Sequence, residues 1–297
     1  MKKVLEIKNL TKYYDKVLGV ENLSLSLEKG EVFGFIGPNG AGKSTTIRSV
    51  MNLINKTEGE VYLNGEKLTK KCAKLKDVIG YLPSEIHLYD DLTVKEMLDY
   101  HESFYKKDIH KRRLDLVKRL KLDETKKIEE LSLGNLKKVG IILAFMHEPE
   151  LVILDEPTSG LDPIIQEEFF KLIKEEKEKN TTIFYSTHIL SEISRVCDRV
   201  GIIKKGHLLK IEKIEDLIKK ELSFVTITSK EIDKIVKELK ITPISKTEDT
   251  IKFKNTLEIN HLIKALEKIK IEKLWITPAT IEEIFLHYYK SVSYTHL

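Results

Sequence analysis

Eight consecutive residues, Gly37-Pro38-Asn39-Gly40-Ala41-Gly42-Lys43-Ser44, fit the spacing G-x-x-x-x-G-K-[ST] of a loop that wraps a nucleotide triphosphate tail. The glycines let the backbone turn its N–H groups onto phosphate oxygens, and a helix start behind them adds partial positive charge. In that arrangement Lys43 meets the β- and γ-phosphates, Ser44 offers its hydroxyl to Mg²⁺, and Thr45 continues the cradle into the helix. Taken without context, the same stretch is only a glycine-rich turn. The context is the required one, because Glu31–Ile36 reads as a short buried strand. Thr45–Ile54 reads as a helix with Ile47, Val50, Met51 and Ile54 on one face.

Further along, Leu151-Val-Ile-Leu-Asp155-Glu156 is a buried strand ending in two carboxylates, which are costly there unless a cation or ligand uses them. Asp155 suits a Mg²⁺ shell. Glu156 suits accepting a proton from an attacking water, or orienting it. Two solvent-facing loop acids are the plainer reading. His188 ends the strand Thr181–Tyr185 plus Ser186-Thr187, where ligands bind in an α/β sheet, and it is placed to donate to a γ-phosphate. Ser132 and Gly134 precede a helix expected over about 137–147; they form either a second anion site or simply an N-cap. Tyr14 offers a flat face for a base ring, or is a half-buried strand tyrosine.

The elements that must carry these groups are legible in outline. Val4–Leu10, Val17–Val20 and Leu23–Leu27 alternate as antiparallel strands, Glu60–Leu63 is another, and Asn64-Gly65 signals a tight hairpin. A strand at 78–83 is stopped by Pro83. Thr93-Val-Lys-Glu96 is a capping box that opens a helix to about Tyr105, and a second helix spans about 111–121. This helical block, about 85–147, interrupts the nucleotide core. Ser159-Gly-Leu-Asp162 turns the chain into a helix begun by Pro163, and strands at 200–204 and 207–211 close the sheet around Gly206.

Composition sets broad limits. The 297 residues suit one large domain with a smaller appendage, and 41% apolar with 33% charged residues suits a cored protein with a solvated surface. The longest apolar run, Val139–Met146, has eight residues, far below a membrane span. No leader precedes the first strand, so a cytoplasmic location is expected. The net charge of +4 rests on 45 Lys against 6 Arg, interspersed with Glu, which argues for a solvated face rather than a nucleic-acid surface. Cys72 and Cys197 lack metal-ligand spacing and read as ordinary thiols.

The order of these motifs (phosphate loop, Leu-Ser-x-Gly-x at Leu131–Asn135, apolar strand with Asp155-Glu156, Ser159-x-Leu-Asp162, Ser186-Thr-His188) resembles the nucleotide-binding subunit of ATP-binding-cassette (ABC) transporters. The resemblance covers about 1–215. It implies an α/β P-loop ATPase core with an antiparallel β subdomain and an inserted helical subdomain, using ATP and Mg²⁺. It also implies that two cassettes pair head to tail. Ser132 and Gly134 of one would clasp the γ-phosphate held by the other's phosphate loop, Asp162 would touch the opposite subunit, and adenine would stack on Tyr14. A separately encoded six-helix permease would hold the subunit on the cytoplasmic face of the membrane, docking near Glu85–Met97. Two positions depart from the family. Leu133 and Asn135 replace a Gly and a Gln of the signature. Ser84 stands where a Gln usually reaches Mg²⁺ and the attacking water, so Ser84 or neighbouring Glu85 is expected at that third metal position.

Tyr81-Leu-Pro-Ser-Glu85, the Leu131–Asn135 variant and Thr277–Leu286 resemble the bacterial exporter branch for drugs and antibiotic peptides. A soluble cassette acting on ribosomes or nucleic acid would need two cassettes in one chain or a long coiled coil, and neither is present here. A weakly hydrolysing clamp is the other alternative, motivated by Ser84. Beyond 215 the order β-α-β-β-α-β points to a ferredoxin-like α+β appendage over 216–290, with Trp275 in its core and a last helix opening at Pro278. Residues 291–297 lack periodicity and read as a foreign or frayed tail.

Overall fold

The computed structural model describes residues 2–69, 77–219, 223–239, 241–255, 258–267 and 269–278. The chain divides into two compact units, 1–214 and 215–297.

The first unit is built on two sheets. The antiparallel one has the order β2-β1-β4-β5, from β1 (Lys3–Tyr14), β2 (Val17–Glu28), β4 (Glu58–Leu63) and β5 (Glu66–Lys67). The two short stretches expected at 17–20 and 23–27 form one strand. A bulge with Asn22 at φ 47° breaks the alternation between them without ending the pairing. Asn64 and Gly65 both take positive φ, 51° and 85°, the conformation an Asn-Gly hairpin turn needs.

The second sheet runs β10-β9-β3-β8-β7-β6, from β3 (Val32–Ile36), β6 (Ile79–Leu82), β7 (Leu151–Asp155), β8 (Thr182–Thr187), β9 (Arg199–Lys204) and β10 (His207–Lys213). All neighbours are parallel except β10 on β9. β3, β7 and β8 are buried along their whole length, as unbroken apolar runs of a covered parallel sheet should be. Phe184 stacks on Phe33 (centroids 6.0 Å) and packs tilted against Phe35 (5.3 Å) in a core that also takes in Leu5, Ile7, Leu25 and Ile47 from the antiparallel sheet and the first helix.

That first helix, α1 (Lys43–Val50), follows β3 and is shorter than its apolar stripe suggests, because Asn52 turns left-handed (φ 53°) just beyond it. Between β6 and β7 lie α2 (Val94–Glu102), α3 (His110–Arg119) and α4 (Leu133–Phe145). Thr93 and Glu96 form the full capping box at the start of α2. Arg113, 2% exposed, pins this block together by ion pairs to Asp99, Glu102 and Glu124. α4 starts four residues earlier than its apolar periodicity indicates, with Ser132 as N-cap. α5 (Pro163–Glu178) carries Pro at N1 and Asp162 as N-cap, and α6 (Leu190–Val196) follows His188.

The second unit is a β-α-β-β-α-β module of β11 (Ser223–Thr228), α7 (Ile232–Leu239), β12 (Pro243–Lys246), β13 (Thr250–Asn255), α8 (Ile259–Leu266) and β14 (Lys273–Pro278). Its strands pair antiparallel in the order β12-β13-β11-β14, the ferredoxin-like arrangement. Val225, Ile227, Ile251 and Phe253 pack against Ile232, Ile235, Leu262 and Leu266 to make its core. Trp275, expected in that core, is 46% exposed on β14, where it pairs with Thr226 on the face away from Val225 and Ile227, and its neighbours Leu274 and Ile276 on this end strand are 40% and 38% exposed as well. Pro278 ends β14; the helix expected after it, the 291–297 tail and Cys72 lie outside the described residues.

Candidate functional site

Parallel register gathers the chemistry at one end of the second sheet. Ile36 pairs with Thr187, Asp155 with Ser186, and Leu82 with Leu154. The chain segments leaving β3, β7, β8 and β6 therefore deliver the phosphate loop, Asp155-Glu156, His188 and Ser84-Glu85 to the same edge, where ligands bind in such sheets.

Gly42 takes φ 106°, and a Cβ there would sit 2.6 Å from the Gly19 carbonyl oxygen, so only glycine serves at the N-cap of α1. With no side-chain cap, the first-turn N–H groups of α1 face a cleft of about 560 Å³. Its walls are Tyr14, Val17, Leu18, Gly19, Asn39, Gly40, Gly42, Lys43, Ser44, Thr45, Ser84, Glu85 and Glu156. Val17, 68% exposed beside Tyr14, extends the apolar wall and was not singled out from the sequence, where it is one more alternating strand residue. Gly37 and Pro38 shape the loop through their carbonyls, which accept from Lys43 Nζ at 2.8 and 3.3 Å, and Ala41 is buried beneath it.

Lys43 is 6% exposed, and its Nζ lies 3.3 Å from Glu156 Oε1, an electrostatic contact rather than a well-directed hydrogen bond. The other oxygen of Glu156 lies 2.8 Å from His188 Nδ1. A carboxylate only accepts, so Nδ1 carries the proton in this pair and Nε2 is left to face outward. Glu156 itself is held at φ 50°, a strained conformation for a non-glycine residue and one that clusters at functional sites. Its N–H donates to the Ser186 carbonyl at 2.9 Å, which fixes the strained turn to β8.

Asp155 is fully buried. Its Oδ1 accepts from Ser186 Oγ at 3.1 Å, while Oδ2 has no hydrogen-bond partner among the described residues. An orphaned, buried carboxylate oxygen next to a cleft is what a hard cation would satisfy. No group of three or more His, Cys, Asp or Glu side chains suited to a metal occurs among the described residues. The orphaned oxygen of Asp155 and the Ser44 hydroxyl on the cleft wall are hard oxygen donors of the kind Mg²⁺ takes alongside water and phosphate. The Asp155 charge also reaches Tyr81, whose hydroxyl is pushed up to about 12, first by burial and then by this carboxylate.

The structure does not bring Ser132, Gly134 or Asp162 to this cleft. Ser132 Oγ accepts from the Asn135 N–H at 3.4 Å, and Asp162 Oδ1 accepts from the N–H groups of Ile164 and Ile165 at 3.0 Å. The two segments touch each other instead: a Cβ on Gly134 would fall 2.6 Å from the Gly160 carbonyl oxygen. Leu133, which replaces a family glycine, is 66% exposed and packs on Gly160. Two buried residues escaped the sequence reading. Glu192 binds the hydroxyls of Thr158 and Tyr185, tying the turn after Glu156 to α6. Lys137, 1% exposed, donates from Nζ to the carbonyls of Pro83 (3.3 Å) and Ser84 (3.0 Å). Burial holds the Lys137 ammonium below the ordinary lysine range, opposed by attraction to Asp155 and Glu156.

A phosphate loop closed by Lys43, with an acidic strand tip facing the same cleft and a histidine hydrogen-bonded to it, defines a P-loop nucleoside triphosphatase site. The helical block between β6 and β7 and the antiparallel sheet narrow the class further. Residues 20–159 match the family model described as ABC transporter. The linearmycin resistance ATP-binding protein LnrL of Bacillus subtilis is 38% identical over 219 residues, covering 72% of this chain and 70% of that protein. The bacitracin transport ATP-binding protein BcrA of Bacillus licheniformis is 38% identical over 229 residues, covering 76% and 74%. A dimeric, post-hydrolysis ATP-binding cassette bound to ADP and Pi superposes with TM-score 0.65 at 27% identity, over 71% of this chain and 98% of that one. The chain belongs to the ABC transporter ATP-binding family, and it is an ATP-binding, ATP-hydrolysing subunit of that kind. No helix among the described residues is long and apolar enough to cross a membrane.

Proposed function

We propose that this subunit powers a separately encoded permease, held on the cytoplasmic face of the membrane, that exports an antibiotic peptide or similar drug. Lys43 and Glu156 on one cleft wall, with His188 hydrogen-bonded to Glu156 and the orphaned oxygen of Asp155 one residue away, support the catalytic half of that reading. Lys43 and the N-terminus of α1 bind the phosphates, Tyr14 with Val17 flanks the base, and Glu156 takes a proton from the water that attacks the γ-phosphorus. The bond to the β–γ bridging oxygen breaks, leaving ADP and phosphate, while His188, whose Nδ1–H donates to Glu156, keeps that carboxylate on the water. Asp155 and Ser44 would hold Mg²⁺, which when bound neutralises charge on the phosphate oxygens, with Ser84 or Glu85 at the remaining position.

Ser132, Gly134 and Asp162 act on the cleft of a second copy, a reading supported by their absence from this chain's own cleft and by the dimeric cassette it resembles. The permease docks on the helical block, where Tyr89, Tyr100 and Phe104 form an exposed edge-to-face ladder at 5.8 and 4.9 Å. The names of LnrL and BcrA support an antibiotic as cargo. Co-expression with its permease should raise bacitracin or linearmycin resistance of a sensitive host, and Lys43→Ala should abolish the gain. Equal resistance with Lys43→Ala would overturn the reading.

A further inference from the structure

Lys137 has no place in the hydrolytic scheme above, yet its position is unusually determined. It projects from the second turn of α4, the helix capped by Ser132, and is 1% exposed. An ammonium is an expensive group to bury, and an apolar side chain of similar length would fill the same space at less cost. Its partners account for it. Two of its three N–H donors meet the carbonyls of Pro83 and Ser84, the first residues past β6. Ser84 and Glu85 in turn form part of the cleft wall, next to Lys43 and Glu156. One turn further along α4, a Cβ on Gly140 would lie 2.6 Å from Ile86 Cδ1 and 2.7 Å from Leu82 Cδ1, so the helix also packs closely on the residues flanking the carbonyls the lysine holds.

We infer that Lys137 is a positioning residue for ATP hydrolysis: its ammonium holds the Pro83 and Ser84 carbonyls, and so sets the Ser84-Glu85 wall of the cleft from the helix that begins at Ser132. The wall carries a short serine in place of a long amide, so its station depends on where the backbone is held rather than on side-chain reach. The inference rests on the cleft being the hydrolytic site. A displaced wall leaves phosphate binding by Lys43 and α1 intact but misplaces groups around the attacking water, and small misplacements of this kind cost rate rather than binding.

The test compares Lys137→Met, which fills the space without donors, and Lys137→Gln, which keeps two N–H donors without charge. Steady-state phosphate release, affinity for a fluorescent ATP analogue and amide hydrogen exchange over 83–87 are measured on each, with Glu156→Gln in parallel. Lys137→Met should lose about tenfold or more in kcat while KM and analogue affinity stay within about threefold, with faster exchange at 83–87. Lys137→Gln should recover at least threefold of that loss (about) and most of the exchange protection. Unchanged kcat in Lys137→Met, no recovery in Lys137→Gln, or a fall in affinity matching the fall in kcat would each overturn the inference. If Lys137→Met does not fold, a Lys137→Gln protein with wild-type exchange and turnover sustains it, and one with loosened exchange and full turnover refutes it. Full turnover in Glu156→Gln would instead remove the hydrolytic reading beneath it.

Discussion

Replacing Glu156 with Gln preserves size and one acceptor but removes the charge that sits between Lys43 Nζ (3.3 Å) and His188 Nδ1 (2.8 Å). A positioned general base contributes about 10²- to 10⁴-fold, so the barrier should rise by about 2.7 to 5.4 kcal/mol at 1.36 kcal/mol per decade. Binding moves the other way. Lys43 loses a carboxylate competitor for the phosphates, so ATP affinity should hold or tighten. The fold should tolerate the change, because Gln occupies φ 50° as readily as Glu and the N–H bond to the Ser186 carbonyl remains. Phosphate release at saturating Mg²⁺ and ATP, alongside equilibrium nucleotide binding, separates the two effects. A kcat within about threefold of the parent would show that Glu156 neither takes the proton nor orients the water. A collapse of ATP binding would show instead that the residue serves the loop.

Other perturbations test the supporting parts. Tyr14→Ala removes a base–aromatic stack of about 1 to 3 kcal/mol, so ATP affinity should weaken by roughly five- to 150-fold, read by calorimetry. Thr93→Ala dissolves the capping box of α2 and should cost about 1 kcal/mol in a urea melt, with turnover unchanged. His147, stacked on Tyr105 at 4.6 Å and beside His101, is brought down to about 4, first by burial and then by His101. Its folded value lies below the unfolded 6.5, so the unfolded chain binds the extra proton, and stability is lost as pH falls from about 6.5 to 4. The loss is on the order of 3 kcal/mol, and His147→Phe should flatten that part of the stability–pH curve.

How much of this was legible beforehand follows from how local each signal is. Lys43 starts the helix just after β3, Asp155 ends β7 and His188 follows β8, each within about ten residues of its strand's apolar run, so type, spacing and position could be read together. The ferredoxin-like order of the second unit was legible for the same reason, since two amphipathic helices interrupt four short strands. Lys137 and Glu192 were not, because charged residues on a helix read as solvated unless the packing partner is known. Lys137 meets Ser84 across 53 residues, and Glu192 meets Thr158 across 34. The start of α4 was placed late because the apolar period begins at Val139, whereas the cap at Ser132 sets where the helix begins. Trp275 was assigned to the core on residue type alone. Alternation fixes which strand residues share a face, but only the cross-strand pairing with Thr226 tells which face the helices cover.

In the function proposed, a triphosphate bound by Lys43 of one copy is closed over by Ser132 and Gly134 of another. The most direct measurement is the solution mass of Glu156→Gln with Mg²⁺ and ATP, by size exclusion with light scattering, against the same protein carrying Ser132→Trp. The account predicts the mass of two chains for the first, of one chain for the second, and of one chain for both when ATP is replaced by ADP. A single-chain mass for Glu156→Gln at saturating ATP, or a dimer indifferent to Ser132→Trp, would contradict it.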